Sequence, residues 1–322
     1  MANITGTDDG EGLGGGDEDD LIRGLGGDDY LDGARGDDTL RGGKGDDFLI
    51  AGGGLSGPGE HDVLIGGMGA DFIIADGGDV VDGGAGRDTL WLTLGGDQRL
   101  VLDLRALDAG GAVAIAGGSF RAVEKGRISL GGGDDLVRFG DSPDVRLEVD
   151  AGWGDDRMIG AAAGDFMVGG GGADTLRGGE GNDVLVSGGG GAYDQRVDVV
   201  RGGGGDDVLY TDGAYDILYG GAGVDTFVFE ENPGQRLASR HGILMDLQAG
   251  ETISLERIDA DYASLNDNAF HFVGSLTGAA REALLTYDAE EGVTYLYLAT
   301  GGGNDMMIAI MGDQREFDGW IL

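Results

Sequence analysis

The sequence predicts an all-β chain wound as a tandem parallel β-roll and closed by β-rich capping segments. Three observations predict it. A nonapeptide of the form G-G-x-G-x-D-x-U-x, with U a large apolar residue, recurs in two blocks; residues 42–50 (Gly-Gly-Lys-Gly-Asp-Asp-Phe-Leu-Ile) and 66–74 (Gly-Gly-Met-Gly-Ala-Asp-Phe-Ile-Ile) are two copies. The sixth-position aspartates and the apolar residues two places later form combs with a common step of nine. Glycine supplies 72 of 322 residues and proline 3, while 40% of the chain is hydrophobic. Collagen requires glycine at every third place and abundant proline. Disordered linkers lack such regular Leu, Ile and Val.

The first aspartate comb is Asp20, Asp29, Asp38, Asp47, Asp62, Asp71, Asp79 and Asp88. The second is Asp156, Asp165, Asp174, Asp183, Asp198, Asp207, Asp216 and Asp225. Each holds one step of fifteen (62−47 and 198−183), and the first also one step of eight (79−71). The first six teeth of the blocks are offset by 136 residues (156−20), the last two by 137 (225−88), which reads as an internal duplication. Asp135 reads as one more tooth, re-entering the second block. The apolar comb is Ile22, Leu31, Leu40, Leu49, Leu64, Ile73, Val81 and Leu90, then Met158, Met167, Leu176, Leu185, Val200, Leu209, Leu218 and Phe227.

The first six positions of the nonapeptide read as a turn and the last three as a short strand. Two nonapeptides then make a coil of eighteen residues, and turns on one side stack at roughly 4.8 Å. The apolar comb faces inward from two parallel sheets. The turn is suited to a hard cation: glycine lets carbonyls point inward, and the aspartate brings charge. Calcium takes six to eight oxygen ligands at about 2.3–2.6 Å, whereas magnesium demands a tight octahedron and zinc favours nitrogen and sulfur. With no cysteine and three histidines, the chain fits Ca²⁺ best. Teeth one coil apart, such as Asp20 with Asp38 or Asp207 with Asp225, imply about eight ions, or roughly twelve if pairing crosses the insertions. Glu18, Ala163 and Ala214 replace the fourth-position glycine, which predicts weaker or altered sites there.

The formal net charge is −39, from 60 acidic and 21 basic residues. Such a chain repels nucleic acid and anionic membranes, and bound cations are the natural means of neutralising it. No apolar run approaches the ~18 residues of a membrane span, and Met1-Ala2-Asn3-Ile4-Thr5 does not read as the start of a cleavable signal peptide. The chain divides into a first repeat block (1–91), a β-rich connector or cap (92–133), a second block (134–228) and a C-terminal β cap (229–322). The connector alternates like strands at Arg99-Leu-Val-Leu-Asp-Leu, Ala112-Val-Ala-Ile-Ala and Arg127-Ile-Ser-Leu.

Both blocks resemble the RTX (hemolysin-type calcium-binding) repeat family. The tail is similar to the C-terminal domain of the serralysin metalloproteases, through Ile253-Ser-Leu-Glu-Arg-Ile-Asp-Ala-Asp261, Ala269-Phe-His-Phe-Val-Gly274, Glu282-Ala-Leu-Leu-Thr-Tyr-Asp288, Gly292-Val-Thr-Tyr-Leu-Tyr-Leu298 and Asp318-Gly-Trp-Ile-Leu322. The tract Gly301-Gly-Gly-Asn-Asp305 departs from that family's Asp-rich turn. The resemblance implies a capped roll carrying an uncleaved type I secretion signal. It also implies export of the unfolded chain through a bacterial envelope channel, and folding on extracellular Ca²⁺.

No catalytic motif is visible. The zinc-protease H-E-x-x-H pattern is absent, and His61, His241 and His271 are scattered. There is no G-x-S-x-G elbow and no phosphate loop, since Gly45 follows Lys44. Trp91, Trp153 and Trp320 read as packing residues. The expectation is a secreted, calcium-loaded structural component at the cell surface or in a matrix, associating with itself. The alternative is an enzyme or polysaccharide-binding module on the same scaffold, with its site in residues 92–130 or 229–300.

Overall fold

The computed structural model describes residues 1–52, 60–115, 117–188, 196–211, 215–230, 242–257, 271–272, 282–299, 306–315 and 319–321. Ala214, His241, residues 258–270, 273–274 and 301–305, Asp318 and Leu322 lie outside the described residues, as does the greater part of each insertion. The chain divides into two compact units, Met1–Gly152 and Trp153–Leu322.

In the first unit two parallel sheets grow together, one strand per half-coil. One sheet takes Asn3–Thr5, Leu21–Gly26, Thr39–Lys44, Val63–Met68 and Val80–Ala85 in that order. The other takes Gly12–Gly14, Tyr30–Asp32, Phe48–Ile50, Phe72–Asp76, Thr89–Thr93, Lys125–Ser129 and Arg146–Asp150. The registers carry the coil length directly: Leu21 pairs with Thr39, eighteen residues on, and Val63 with Val80, seventeen on. Thr39 pairs with Val63 across the insertion, so that coil has twenty-four residues without loss of register. Ser119–Arg121 adds a last parallel strand to the first sheet, and Val113–Ala114 closes it antiparallel.

The second unit repeats the winding. Arg157–Ile159, Thr175–Glu180, Val199–Gly204, Ile217–Ala222 and Ile243–Leu244 form one parallel series; Phe166–Val168, Val184–Val186, Val208–Thr211, Thr226–Glu230 and Thr252–Arg257 form the other. Glu282–Asp288, Val293–Ala299 and Met306–Met311 make an antiparallel meander that joins the first series through Ile243 and Ala309. No described helix is long and apolar enough to cross a membrane.

Every member of the apolar comb is buried, from Ile22 to Phe227. Strand side chains alternate between faces, so the comb fills the narrow space between the sheets and its neighbours point out. The outward neighbours Tyr30, Phe48 and Phe72 stack in a ladder, with centroids 5.4 and 5.1 Å apart and planes within 6° and 2°; Trp91 meets Phe72 edge-on at 5.1 Å. Trp91 and Trp153 are 54% and 64% exposed, so neither is the packing residue its sequence context suggests. Each lies outside the inward comb, on which burial depends. A second difference is the 3-10 helix Leu104–Ala109 within the strand-like connector. Leu104 and Leu107 eclipse at its three-residue period and bury together, and Gly110 ends it in the left-handed region.

The glycines at the second and fourth turn positions work through backbone angle. Gly43 and Gly45 have φ of 127° and 118°, and a Cβ on Gly43 would overlap the Leu25 carbonyl of the previous coil. Ala34 occupies the second position at φ 74°. The left-handed region costs a non-glycine residue about 1–2 kcal/mol, and glycine returns about 0.4–1 kcal/mol of that to the unfolded chain. Ala34→Gly should therefore raise stability by up to about 1 kcal/mol, whereas Gly43→Ala should lower it by about 1–3 kcal/mol. Denaturant midpoints with an unchanged m-value check both.

Candidate metal centre

Each comb aspartate ends a glycine turn and begins the next strand. Its carbonyl accepts the strand amide of the following coil, as Asp20 does from Thr39 (2.9 Å) and Asp47 from Phe72 (2.8 Å). Its Oδ1 reaches the other way, to the amide of the tooth one coil earlier. Asp20 N–H donates to Asp38 Oδ1 (2.6 Å), Asp29 to Asp47 (2.9 Å), Asp62 to Asp79 (2.9 Å) and Asp71 to Asp88 (2.9 Å). In the second unit Asp156 donates to Asp174 (2.8 Å), Asp165 to Asp183 (2.8 Å), Asp198 to Asp216 (3.1 Å) and Asp207 to Asp225 (3.0 Å). The ladder also crosses the insertions, at Asp38 with Asp62, Asp47 with Asp71, Asp174 with Asp198 and Asp183 with Asp207 (2.7–2.9 Å). Asp135 Oδ1 accepts the Leu100 amide at 2.7 Å. All seventeen teeth are buried, with Asp165 the most exposed at 9%.

The second carboxylate oxygen distinguishes the teeth. Oδ2 of Asp29, Asp38, Asp47, Asp71, Asp88, Asp174, Asp183 and Asp207 is buried and has no hydrogen-bond donor. Each folds back over the first glycine of its own turn. A Cβ on Gly42 would overlap Asp47 Oδ2, and one on Gly66, Gly178 or Gly202 would overlap the oxygen of Asp71, Asp183 or Asp207. Elsewhere the protein supplies the donor: Gly16 N–H to Asp20 (2.8 Å), Asp76 N–H to Asp79 (2.9 Å) and Ala161 N–H to Asp165 (3.1 Å). The hydroxyls of Ser187 (3.0 Å) and Thr211 both donate to Asp216. Thr211 stands where other turns have their first glycine, so its hydroxyl fills the space left open in them.

An outer ladder escaped the sequence reading. The fifth-position side chains accept amides from the following coil, opposite in sense to the inner ladder. Asp37 N–H donates to Asp19 Oδ1 (3.0 Å), Asp46 to Asp28 (2.9 Å) and His61 to Asp37 (2.9 Å). Asp206 donates to Asn182 (2.9 Å) and Val224 to Asp206 (2.8 Å). The Asp-Asp doublets were its signal. Two glutamates also take tooth positions: Glu11 N–H donates to Asp29 Oδ1 (2.9 Å), and Glu124 Oε2 accepts the Asp88 amide (2.8 Å). Glu11 lies eighteen residues before Asp29, within reach of a search that admits glutamate.

Burial raises the inner carboxyls: Asp38 and Asp47 to about 6, and Asp62, Asp71, Asp174, Asp183 and Asp207 to about 7. Backbone amides oppose the shift, and neighbouring carboxylates add to it. Among the described residues no three acidic or histidine side chains converge as a metal cluster. Each position between coils offers one carboxylate per coil, and turn carbonyls must supply the rest. A buried anionic oxygen without a donor is costly, and an oxygen-lined, glycine-walled space suits calcium. The residues therefore fit that ion.

Residues 15–321 match the family described as Peptidase M10 serralysin C terminal. The chain belongs to that family. No curated protein matches it. RTX-type domains of the serralysin C-terminal family generally bind Ca²⁺ and belong to secreted bacterial proteins.

The raised carboxyls fix a pH dependence. Unfolded aspartates titrate near ~4, so folding favours the protonated form. That contribution is complete below about pH 4 and is lost as pH rises through 6–7. In chelator the fold should be more stable at pH 5 than at pH 8, and saturating calcium should remove or reverse the difference. Thermal melts followed by circular dichroism across pH read this out.

Proposed function

We propose that the chain is a secreted calcium-binding β-roll whose inner aspartates hold several Ca²⁺ ions between successive coils, and that it folds on calcium outside the cell. The observation that carries this reading is the row of buried, donorless oxygens on Asp29, Asp38, Asp47, Asp71, Asp88, Asp174, Asp183 and Asp207. Calcium supplies the positive charge and the coordination these oxygens lack. The protein presents one carboxylate from each of two coils, held by its amide bond, and excludes other ligands by bringing glycine backbone close. Asp20 and Asp79 already have donors on both oxygens, Asp165 has a backbone amide on Oδ2 and Asp216 has two hydroxyls on Oδ2, so they would contribute less to binding. Asp62, Asp135, Asp156, Asp198 and Asp225 complete the comb.

We further infer a structural role, with self-association through the outward aromatic face rather than capture of polysaccharide. Phe48 is stacked between Tyr30 and Phe72, which covers both of its ring faces and leaves its edge outward. A sugar stacks on an open ring face, whereas a second apolar sheet packs against such edges. Passage through a type I secretion channel completes the proposed life of the chain.

Calcium titration with circular dichroism and light scattering, with magnesium as control, tests the reading. Calcium alone should drive a cooperative coil-to-β transition, and particle size should grow with it. Complete β structure in chelator would show that ions do not hold the fold. A monodisperse monomer in millimolar calcium would remove self-association.

A further inference from the structure

The aspartate comb of the second unit ends, by sequence, at Asp225. The structure carries it one tooth further. Residues 246–254, Asp-Leu-Gln-Ala-Gly-Glu-Thr-Ile-Ser, have one glycine and match the nonapeptide poorly, yet they occupy the next coil in register. Thr252 N–H donates to the Asp225 carbonyl at 2.8 Å, as Thr226 N–H does to Asp207 at 2.8 Å. Ile253 pairs with Phe227 and is fully buried in the line of the apolar comb. Glu251 thus stands where an aspartate tooth would, twenty-six residues after Asp225.

Glu251 is 1% exposed. Its Oε2 accepts the Gln248 amide at 2.6 Å, and Asp225 Oδ1 accepts the Asp207 amide at 3.0 Å. The remaining oxygens, Glu251 Oε1 and Asp225 Oδ2, are both buried and have no donor. The two carboxyl groups come within hydrogen-bonding reach of each other. Asp246, whose Oδ1 accepts the Gly220 amide at 2.9 Å, adds a third negative charge nearby. The charged groups acting on Glu251 are Asp225 and Asp246, both carboxylates. Two buried carboxylates in contact repel strongly unless a cation or a shared proton lies between them. The turn Gly220-Gly221-Ala222-Gly223-Val224-Asp225 keeps the full glycine pattern, and the Gln248 side-chain amide donates to its Gly221 carbonyl at 2.6 Å, which ties the segment 246–254 to that turn.

We propose that Asp225 and Glu251 form a terminal divalent-cation site that pins the start of the C-terminal cap onto the last repeat coil. It rests on the reading that the comb binds calcium, and takes the same ion. Glutamate is longer than aspartate by one methylene, which lets the side chain span a turn that is not built of glycine. The site makes the segment 246–254 part of the calcium-dependent roll, so cap and roll order together.

The test compares calcium stoichiometry, by equilibrium dialysis on the full chain, among the wild type, Glu251→Gln and the comb variant Asp207→Asn. Glu251→Gln keeps size and removes charge. It should bind one ion fewer per chain, and its calcium-saturated melting temperature should fall while the main folding transition persists. If a shared proton holds the pair instead, Glu251→Gln will bind as many ions as the wild type and be more stable in chelator, which overturns the site but leaves the comb intact. If the wild type binds no calcium, or if Asp207→Asn loses nothing, the comb reading itself fails and this site with it. Should Glu251→Gln not fold, Glu251→Asp decides: retained stoichiometry with at least tenfold weaker binding of one ion supports the site, and unchanged binding refutes it.

Discussion

The structure depends on a carboxylate that does two jobs at once. In teeth such as Asp47, Asp71, Asp183 and Asp207, one carboxylate oxygen accepts the amide of the tooth on the neighbouring coil, and the other is pressed against the first glycine of its own turn. The first contact ties coil to coil. In the glycine-opened turns the second leaves no room for a Cβ five places earlier, as at Gly42 before Asp47 and Gly178 before Asp183. Buried charge then sets the problem that the rest of the turn must solve, because a donorless carboxylate oxygen away from water is unfavourable. Where Thr211 replaces glycine, a hydroxyl supplies the missing donor to Asp216. The exception shows what the glycine turns leave open.

This arrangement fixes geometry at the teeth and leaves chain length free between them. Coils of seventeen, eighteen and twenty-four residues make the same ladder bond, at 2.9 Å for Asp62 with Asp79, 2.9 Å for Asp29 with Asp47 and 2.7 Å for Asp38 with Asp62. An insertion at one turn therefore costs loop-closure entropy, which grows slowly with length, but does not slip the strands. Register is specified twice more, by the inward aliphatic residue and by the outward aromatic ladder. A one-residue shift would expose Leu31, Leu49 and Ile73 and bury Tyr30, Phe48 and Phe72.

Periodicity made the roll, its inward residues and the sixteen aspartates of its two combs legible in the sequence, because one step of nine carries all three. What stayed hidden lacked that step or used other residues. The outer ladder sits in the same doublets as the inner one, but both positions are aspartate, and only the backbone shows that Asp28 and Asp29 bond in opposite directions along the roll. Glu11 and Glu124 keep the role of a tooth with a different side chain, and Glu124 follows Asp88 by thirty-six residues. Nothing in residues 246–254 announces a repeat, since strand register and not glycine content places them. The aromatic ladder falls on every second nonapeptide, a period of about one coil, so a search at nine passes over it. Trp91 sits in a strand where packing is the expectation, but alternation puts it on the outer face.

The two ladders also divide the negative charge. Inner aspartates are withdrawn from water, whereas outer ones such as Asp19, Asp28 and Asp46 remain exposed and keep their hydration. Repulsion among the outer charges is screened by salt over about 8 Å and costs little. Repulsion among the inner ones is not screened, and it rises as the roll forms, because winding brings successive teeth within one strand spacing. On the calcium reading, the same winding creates the ion positions, so the unfavourable term and its compensation appear in the same step. Ion binding and folding are then one equilibrium. On the same reading, a chain of net charge −39 stays extended where calcium is scarce and closes where it is abundant, because the switch is distributed over the coils.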